Sequence, residues 1–484
     1  MERQSPLRRS VPRPMTGSSS SANAAAAALV ENFRGPVLLP GDPTYEIARE
    51  IWNADINRHP GVIARCTQVA DVVEAVRVAG QYGLEVSVRG GGHNIAGTAL
   101  CDGGMMIDMS LLKHVRVDPI GRQATASPGL TWGELDSASQ SVGLATPGGV
   151  VSTTGIAGLT LGGGFGWLSR RHGWSCDNLL SIEMVTATGE VIRADSDENG
   201  ELFWGARGGG GNFGIVTSFV FQLHPVNGVY AGFLLYELER ASEVLRHCRD
   251  LMHDAADEFC LVIGIGNAPP VAGLPADLRT ARVLRIGFCH SGPIDDGRSA
   301  VDSITRAHQP VFAQFGPMAY RELQTMLDAG ARFGLAHYSK SHFLAELSDE
   351  AIDTLVQHAR QPQSPRSRVV LHTCGGAASR RSEDATAFGH RDALYNLQID
   401  ATWEPTEDGS ADVAWAKEFG AAMQPFSNGG TYVNFLSDAA DRTGVQAAYR
   451  GGKYRRLQEL KTLLDPGNFF HHNQNVPPLQ EVAS

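Results

Sequence analysis

The spacing of apolar residues changes several times along the chain, and each change predicts an element. Val69, Val72, Val73 and Val76 share one face of a helix over 67–83, with Thr67 placed to cap its start and Gly83 to end it. Leu84, Val86 and Val88 then alternate as a strand that runs straight into Arg89-Gly90-Gly91-Gly92-His93. MMIDM at 105–109 predicts another strand. Thr131 and Glu134 have the spacing of a capping box for a helix at about 132–141, closed by Gly143. IEMVTATGEVIRA at 182–194 predicts a hairpin turning near Thr188-Gly189, and GIVTSFVFQL at 214–223 predicts a buried strand.

After Pro225 the pattern shifts. Strand-like segments near 230–238, 258–266, 281–289, 367–373 and 393–403 alternate with helices near 241–256, 293–308 and 349–360, which suits a sheet covered by helices on one face. Near 430 a Gly-rich strand, TYVNFL, is expected, followed by a basic helix and DPGNFFHHNQNVPP, a tail placed back on the first unit. The expected fold class is α+β, with units at 36–224, 225–430 and 431–484. Residues 1–35 are basic, then Pro/Ser-rich, then Ala-rich, and predict a disordered tail. No solenoid repeat is visible.

Composition narrows the function classes. Hydrophobic residues are 42% and charged residues 19%, the balance of a globular enzyme with a large core. The net charge of −11 disfavours nucleic acid and anionic membranes as partners, and no apolar run is long enough to span a bilayer. Seven scattered cysteines without a CxxC pair predict neither a zinc site nor a disulfide framework. The adjacent His471 and His472 point apart in most backbones and have no carboxylate spaced to join them, so no metal is expected. Lys453, Arg455, Arg456 and Lys461 are expected on a solvated helix face. Arg8-Arg9 hints at an export signal, but the apolar core of one is missing, so a cytoplasmic product is expected; Met15 is a second possible start.

The 55 glycines cluster between 89 and 214. Glycine lets a backbone approach a ligand closely. In RGGGHN, residues 89–94, a strand ends and exposes N–H groups as a nest suited to a pyrophosphate or other anion, and Arg89 adds a fixed positive charge. Taken alone, this loop is better explained by a tight turn with a satisfied surface histidine. The longer segment TPGGVVSTTGIAGLTLGGGFGWLSRRHGWSCDNL, residues 146–179, lacks the order of a mononucleotide P-loop and comes too late for a Rossmann fingerprint. A shaped surface for an extended ligand remains.

RGGGH, the segment ending in GGGFGWLSRRHGWSCDN, ARGGGGNFGIV and the terminal YVNF…DPGNFFHHNQNVPP together resemble the berberine bridge enzyme-like flavoproteins, which have the vanillyl-alcohol oxidase, or PCMH-type, FAD-binding fold. The resemblance runs from about residue 40 to 480. It implies a two-part FAD-binding domain over 36–224, a substrate domain over 225–430 with an antiparallel sheet covered by helices, and a C-terminal segment returning to the FAD domain. It implies one covalent bond from His93 to the flavin 8α-methyl carbon, for which a neutral imidazole is a suitable nucleophile. Val88, Arg89, Gly90, Gly91, Gly92, Asn94 and Gly97, with Ser152, Thr153, Gly155, Gly158, Leu159, Gly162, Gly163, Gly164, Phe165 and Gly166, would hold the pyrophosphate and ribityl chain. Gly129, Gly148 and Gly149 would join them. Asp177, Asn178, Gly214, Ile215 and Val216 would lie near the adenosine half and flavin edge, and Tyr432 and Asn434 beside the isoalloxazine ring.

Two positions depart from the family pattern. Many members carry a second flavin link through a cysteine after a Gly-Val pair; here Gly149-Val150 is followed by Val151. Several carry a tyrosine after YxN as catalytic base; here it is Phe435. Candidates for catalysis are therefore Tyr432 and the polar face Asn396, Gln398 and Asp400 of the 393–403 strand, a face that could equally be solvated; His337 and Tyr338 are weaker candidates. The expected activity is an oxidase that moves a hydride from a small alcohol, amine or secondary-metabolite substrate to flavin and then to O2, releasing H2O2. A dehydrogenase with a quinone or protein acceptor shares the first half-reaction, and a flavin-fold scaffold without turnover is the third reading. Substrate identity and oligomeric state are not legible.

Overall fold

The computed structural model describes residues 18–438 and 441–480. Two strands, Val62–Arg65 and Val86–Arg89, flank Met105–Asp108 in parallel, and Val37–Leu38 adds an antiparallel edge to Val62–Arg65. The helix Val69–Tyr82 covers this sheet with its valine face, and Gly83, at φ 61°, ends it in the left-handed conformation. Its start differs from the expectation. Gln68 is the cap residue, and the Asp71 carboxylate instead accepts from the Thr67 N–H and hydroxyl and from the Arg34 N–H. The capping box at Thr131 forms as expected.

A second, antiparallel sheet runs Val115–Asp118, Gln123–Ala126, Ile215–Gln222, Leu179–Val185, Val191–Asp195. Its hairpin turns at Gly189, φ 82°.

The disordered reading of residues 1–35 does not hold for the described part. Ser18–Leu29 is a helix whose Ala25, Ala26 and Leu29 are buried against the first sheet and helix. The Ala run is a strong helix former, and its small side chains let two helices approach closely. Arg8-Arg9 and Met15 lie outside the described residues.

The third sheet has seven antiparallel strands in the order Phe312–Met318, Val229–Glu237, Arg282–His290, Phe259–Asn267, Arg368–Thr373, Tyr395–Trp403, Ala336–Leu344. Helices Ala241–His253, Ile294–Ala307, Asp349–Ala359 and Ser410–Met423 bury one face. The other face looks toward the glycine-rich lobe.

Two expectations at the C-terminus are corrected. TYVNFL is not a strand: after Gly430 pairs with the edge residue Phe343, the chain turns in a 3-10 segment, Val433–Phe435. The turn is fixed where the Tyr432 N–H donates to Ser341 Oγ. The helix Lys453–Leu464 is not solvated along its lysines. Lys461 is fully buried and donates to Asp465 Oδ2 at 2.7 Å, Asn212 O at 2.7 Å and Phe470 O at 2.9 Å. Lys453 donates to Phe388 O at 2.6 Å beside Glu383. Three acceptors around each ammonium offset its desolvation, and the lysines clamp the tail to the glycine-rich lobe. Arg455 and Arg456 do pair at the surface with Glu459 and Glu201.

Candidate functional site

A cavity of about 770 Å³ lies between the glycine-rich lobe and the open face of the seven-stranded sheet. Its first wall is made where two loops cross. A Cβ on Gly155 would stand 2.5 Å from the Gly91 backbone N, and one on Gly91 would meet the Gly155 backbone in turn. Only glycine permits this contact. Gly158 has nothing within 4 Å of its absent side chain, so it faces open cavity.

The expected residues fall into two groups. Val88, Gly90, Gly91, Gly92, His93, Asn94, Gly149, Gly155, Gly158, Leu159, Phe165, Gly214, Ile215, Val216, Gln398, Tyr432 and Asn434 line the cavity. The others are placed elsewhere. Arg89 Nη1 donates to the Ala48 carbonyl at the end of the helix Tyr45–Arg49. Gly97 packs against Ile56, Gly129 against the Met109 carbonyl, Gly148 against the Trp132 ring and Gly166 against the Gly148 carbonyl. Gly162, Gly163 and Gly164 accommodate Asn434, Phe388 and Leu159. Ser152 binds Asp328, and Thr153 Oγ1 lies 3.1 Å from His93 Nε2.

Asp177 and Asn178 are corrections. Asp177 forms a buried bidentate pair with Arg391 at 2.7 and 2.9 Å, and Asn178 bridges His224 and the carbonyls of His172 and Trp174. Their polar groups are consumed inside the protein. Asn396 and Asp400 are corrections too. Asn396 is fully buried between neighbouring strands, and Asp400 is held by Ser339, Gln398 and Arg368. Of that strand's polar face, Gln398 and Thr402 reach the cavity.

His93 sits half-buried in the wall, and its ring stacks on Trp52 at 5.6 Å and meets Phe333 edge-on at 5.2 Å. Desolvation lowers its pKa to about 4, so the imidazole is neutral near pH 7. His337 stacks on the other side of this aromatic group, 3.7 Å from Trp52, and belongs to the packing rather than the cavity lining.

The Tyr432 hydroxyl accepts from Asn434 Nδ2 at 2.8 Å and from the Gly164 N–H at 3.1 Å. Burial pushes its phenol well above the ordinary tyrosine range. The two bonds fix the hydroxyl's place, and its raised pKa keeps it protonated near pH 7.

Sequence reasoning missed His372. It lines the cavity beside Gln398, on the expected 367–373 strand, and burial lowers its pKa to about 4. Its side-chain hydrogen-bonding neighbour is Gln398, although neither ring nitrogen reaches full hydrogen-bonding geometry. The alternation of Arg368, Val370 and His372 on one strand face was the available signal.

Gln474 Nε2 and Asn473 Oδ1, on the returning tail at the cavity, are buried without partners. Together with the crossing glycine loops and the apolar patch Ala157, Leu159, Leu161, Ile215 and Val216, they fit a long ligand that is part polar and part flat and apolar, as FAD is.

The comparisons agree with that fit. A family profile described as "FAD binding domain" matches residues 60–195, and one described as "Berberine and berberine like" matches 431–477. The chain is 29% identical to (R)-6-hydroxynicotine oxidase of Paenarthrobacter nicotinovorans, over 92% of this chain and 97% of that one. It is 28% identical to tetrahydroberberine oxidase of Berberis wilsoniae, over 87% and 85%. The crystal structure of 6-hydroxy-D-nicotine oxidase from Arthrobacter nicotinovorans superposes with a TM-score of 0.83 at 28% identity, covering 92% of this chain and 98% of that one.

Proposed function

This chain is a berberine bridge enzyme-like FAD-linked oxidoreductase, and from that premise we propose that it is an oxidase carrying its flavin on a single covalent bond to His93. The observation that carries the reading is a neutral, partly desolvated imidazole in the cavity wall beside the crossing glycine loops. Neutrality leaves a ring nitrogen with the lone pair that attachment needs. Thr153 Oγ1 fixes the other edge of the ring at Nε2. The absence of cysteine among the described lining residues supports one link, because Val151 occupies the wall where a second would come. Cys176 is fully buried and its thiol is pushed up to about 12.

Bound there, the flavin would supply a two-electron acceptor that takes hydride from a substrate C–H and passes the electrons to O2, giving H2O2. The chain's residues would do the rest. Tyr432 and Asn434 donate hydrogen bonds and fix polar groups at the cavity's inner end. His372, neutral and beside Gln398 in the cavity wall, accepts the proton released from a substrate O–H or N–H. Gln398 stands beside it, held by its bond to Asp400 Oδ1 at 2.8 Å, and orients the substrate's polar group.

The test is acid precipitation and washing of purified protein and of His93→Ala. Yellow colour should stay with the parent polypeptide and wash away from the variant. Colour retained by the variant would mean another attachment residue; a parent without flavin would overturn the reading. Peroxide release during turnover checks the acceptor.

A further inference from the structure

The sheet wall of the cavity carries an unusual charge balance for a protein of net charge −11. Arg285, Arg332, Arg366 and Arg368 line it, and none of the described lining residues is Asp or Glu. Three of the four arginines are compensated. Arg332 and Arg366 share Glu404 at the rim, and Arg368 binds Asp400 and the Gly330 carbonyl. Asp400 is further divided among Ser339 and Gln398.

Arg285 is different. Among the described residues its guanidinium has neither a carboxylate nor a carbonyl partner, and its electrostatic neighbour is another cation, Arg368. Burial and Arg368 lower its pKa to about 10, so it stays charged near pH 7. Gly264 on the neighbouring strand is paired with Arg285, and a Cβ there would lie in ordinary contact with Arg285 Nη2, at 3.6 Å. Arg285 is half-buried in the cavity wall, and a partly desolvated cation without a counter-charge favours an anionic neighbour. What enters the cavity can supply that charge.

We propose that Arg285, backed by Arg368, binds the carboxylate of the substrate, so that the oxidised molecule is a carboxylate-bearing alcohol or amine. The planar guanidinium matches a carboxylate in bidentate fashion. This rests on the reading of the cavity as a flavin oxidase site. It assigns the anion to the substrate and not to the cofactor, because Arg285 stands on the sheet wall, whereas the glycine loops are on the wall of the other lobe.

The test is calorimetric titration of the holoenzyme with benzoate and with benzamide, its neutral near-isostere. The parent should prefer benzoate by at least about tenfold, the discrimination one charge-assisted pair supplies. Arg285→Gln should abolish the preference while keeping its flavin, and Arg285→Lys should restore part of it. Equal binding of the two probes by the parent overturns the inference. So does a preference that survives in Arg285→Gln, or flavin loss from that variant. Calorimetry reads the site whether or not flavin is present: a colourless parent that still prefers benzoate would sink the oxidase reading and leave the anion site standing.

Discussion

At the scale of single residues, the site depends on which polar groups the protein leaves unsatisfied. Asp400 and Asp177 are charged, but their bonds are filled by Ser339, Gln398, Arg368 and Arg391. Tyr432 accepts two hydrogen bonds and is held protonated. His372 presents a neutral ring beside Gln398 in the cavity wall. Replacing it with Asn keeps a polar group of similar size but removes the proton acceptor. Steady-state turnover of His372→Asn should show kcat/KM lower by about 10²–10⁴-fold with flavin content unchanged. The parent's kcat/KM should fall as pH drops through about 4, where the imidazole takes up a proton, and the variant should lack that acidic limb. Unaltered kinetics in the variant would remove His372 from the reaction.

At the scale of elements, the cavity is shaped by loops that touch through their backbones. Gly155→Ala puts a methyl group 2.5 Å from the Gly91 N and must push the two loops apart. Overpacking of this kind costs about 1–3 kcal/mol. Thermal melting should show Gly155→Ala less stable, and absorbance should show it poorer in flavin. Gly158→Ala meets nothing within 4 Å and should melt like the parent in the absence of flavin, yet bind flavin less completely because its methyl enters the ligand's space. Equal behaviour of the two variants would contradict the crossing-loop account. The same elements show what the sequence makes legible. Helix and strand periods found most strands of the large sheet, because their buried residues alternate or run continuously apolar. Ala336–Leu344 escaped because its AHYSKSHFL sequence carries polar residues at buried positions. The edge strand Phe312–Met318 escaped because it is largely exposed. Motifs located His93 and the loops, but could not separate glycines that face a ligand, such as Gly158, from those that pack, such as Gly148 against Trp132. That distinction depends on contacts between distant segments, as does the burial of Lys461.

At the scale of the whole molecule, burial of histidines couples folding to pH. Desolvation pushes His172 and His337 down to about 3 and His93, His224 and His372 to about 4, and it also lowers His290, His308, His342 and His390. His172 and His224 also stack on each other at 3.8 Å. Each has a folded-state pKa below its ordinary 6.5, so between those values the unfolded chain binds the extra proton. The stability each contributes is present above pH 6.5 and is lost as pH falls toward its folded value. Asp136 acts with the opposite sign. It is buried against Gln324, and its carboxyl is raised from 3.8 to about 7. Its contribution is present below 3.8 and lost as pH rises through 7. Between about pH 4 and 6.5 the desolvated histidines raise stability with pH and Asp136 lowers it, so the histidines prevail; just above 6.5 Asp136 still acts. Melting temperature should therefore peak near pH 6.5 and fall steeply below pH 6. Scans at steps from pH 8 to 4.5 measure this, and His172→Gln should flatten the acid side by removing one of these slopes. A melting temperature constant from pH 6.5 to 4.5 would mean that these imidazoles are hydrated in solution and do not tie folding to proton uptake.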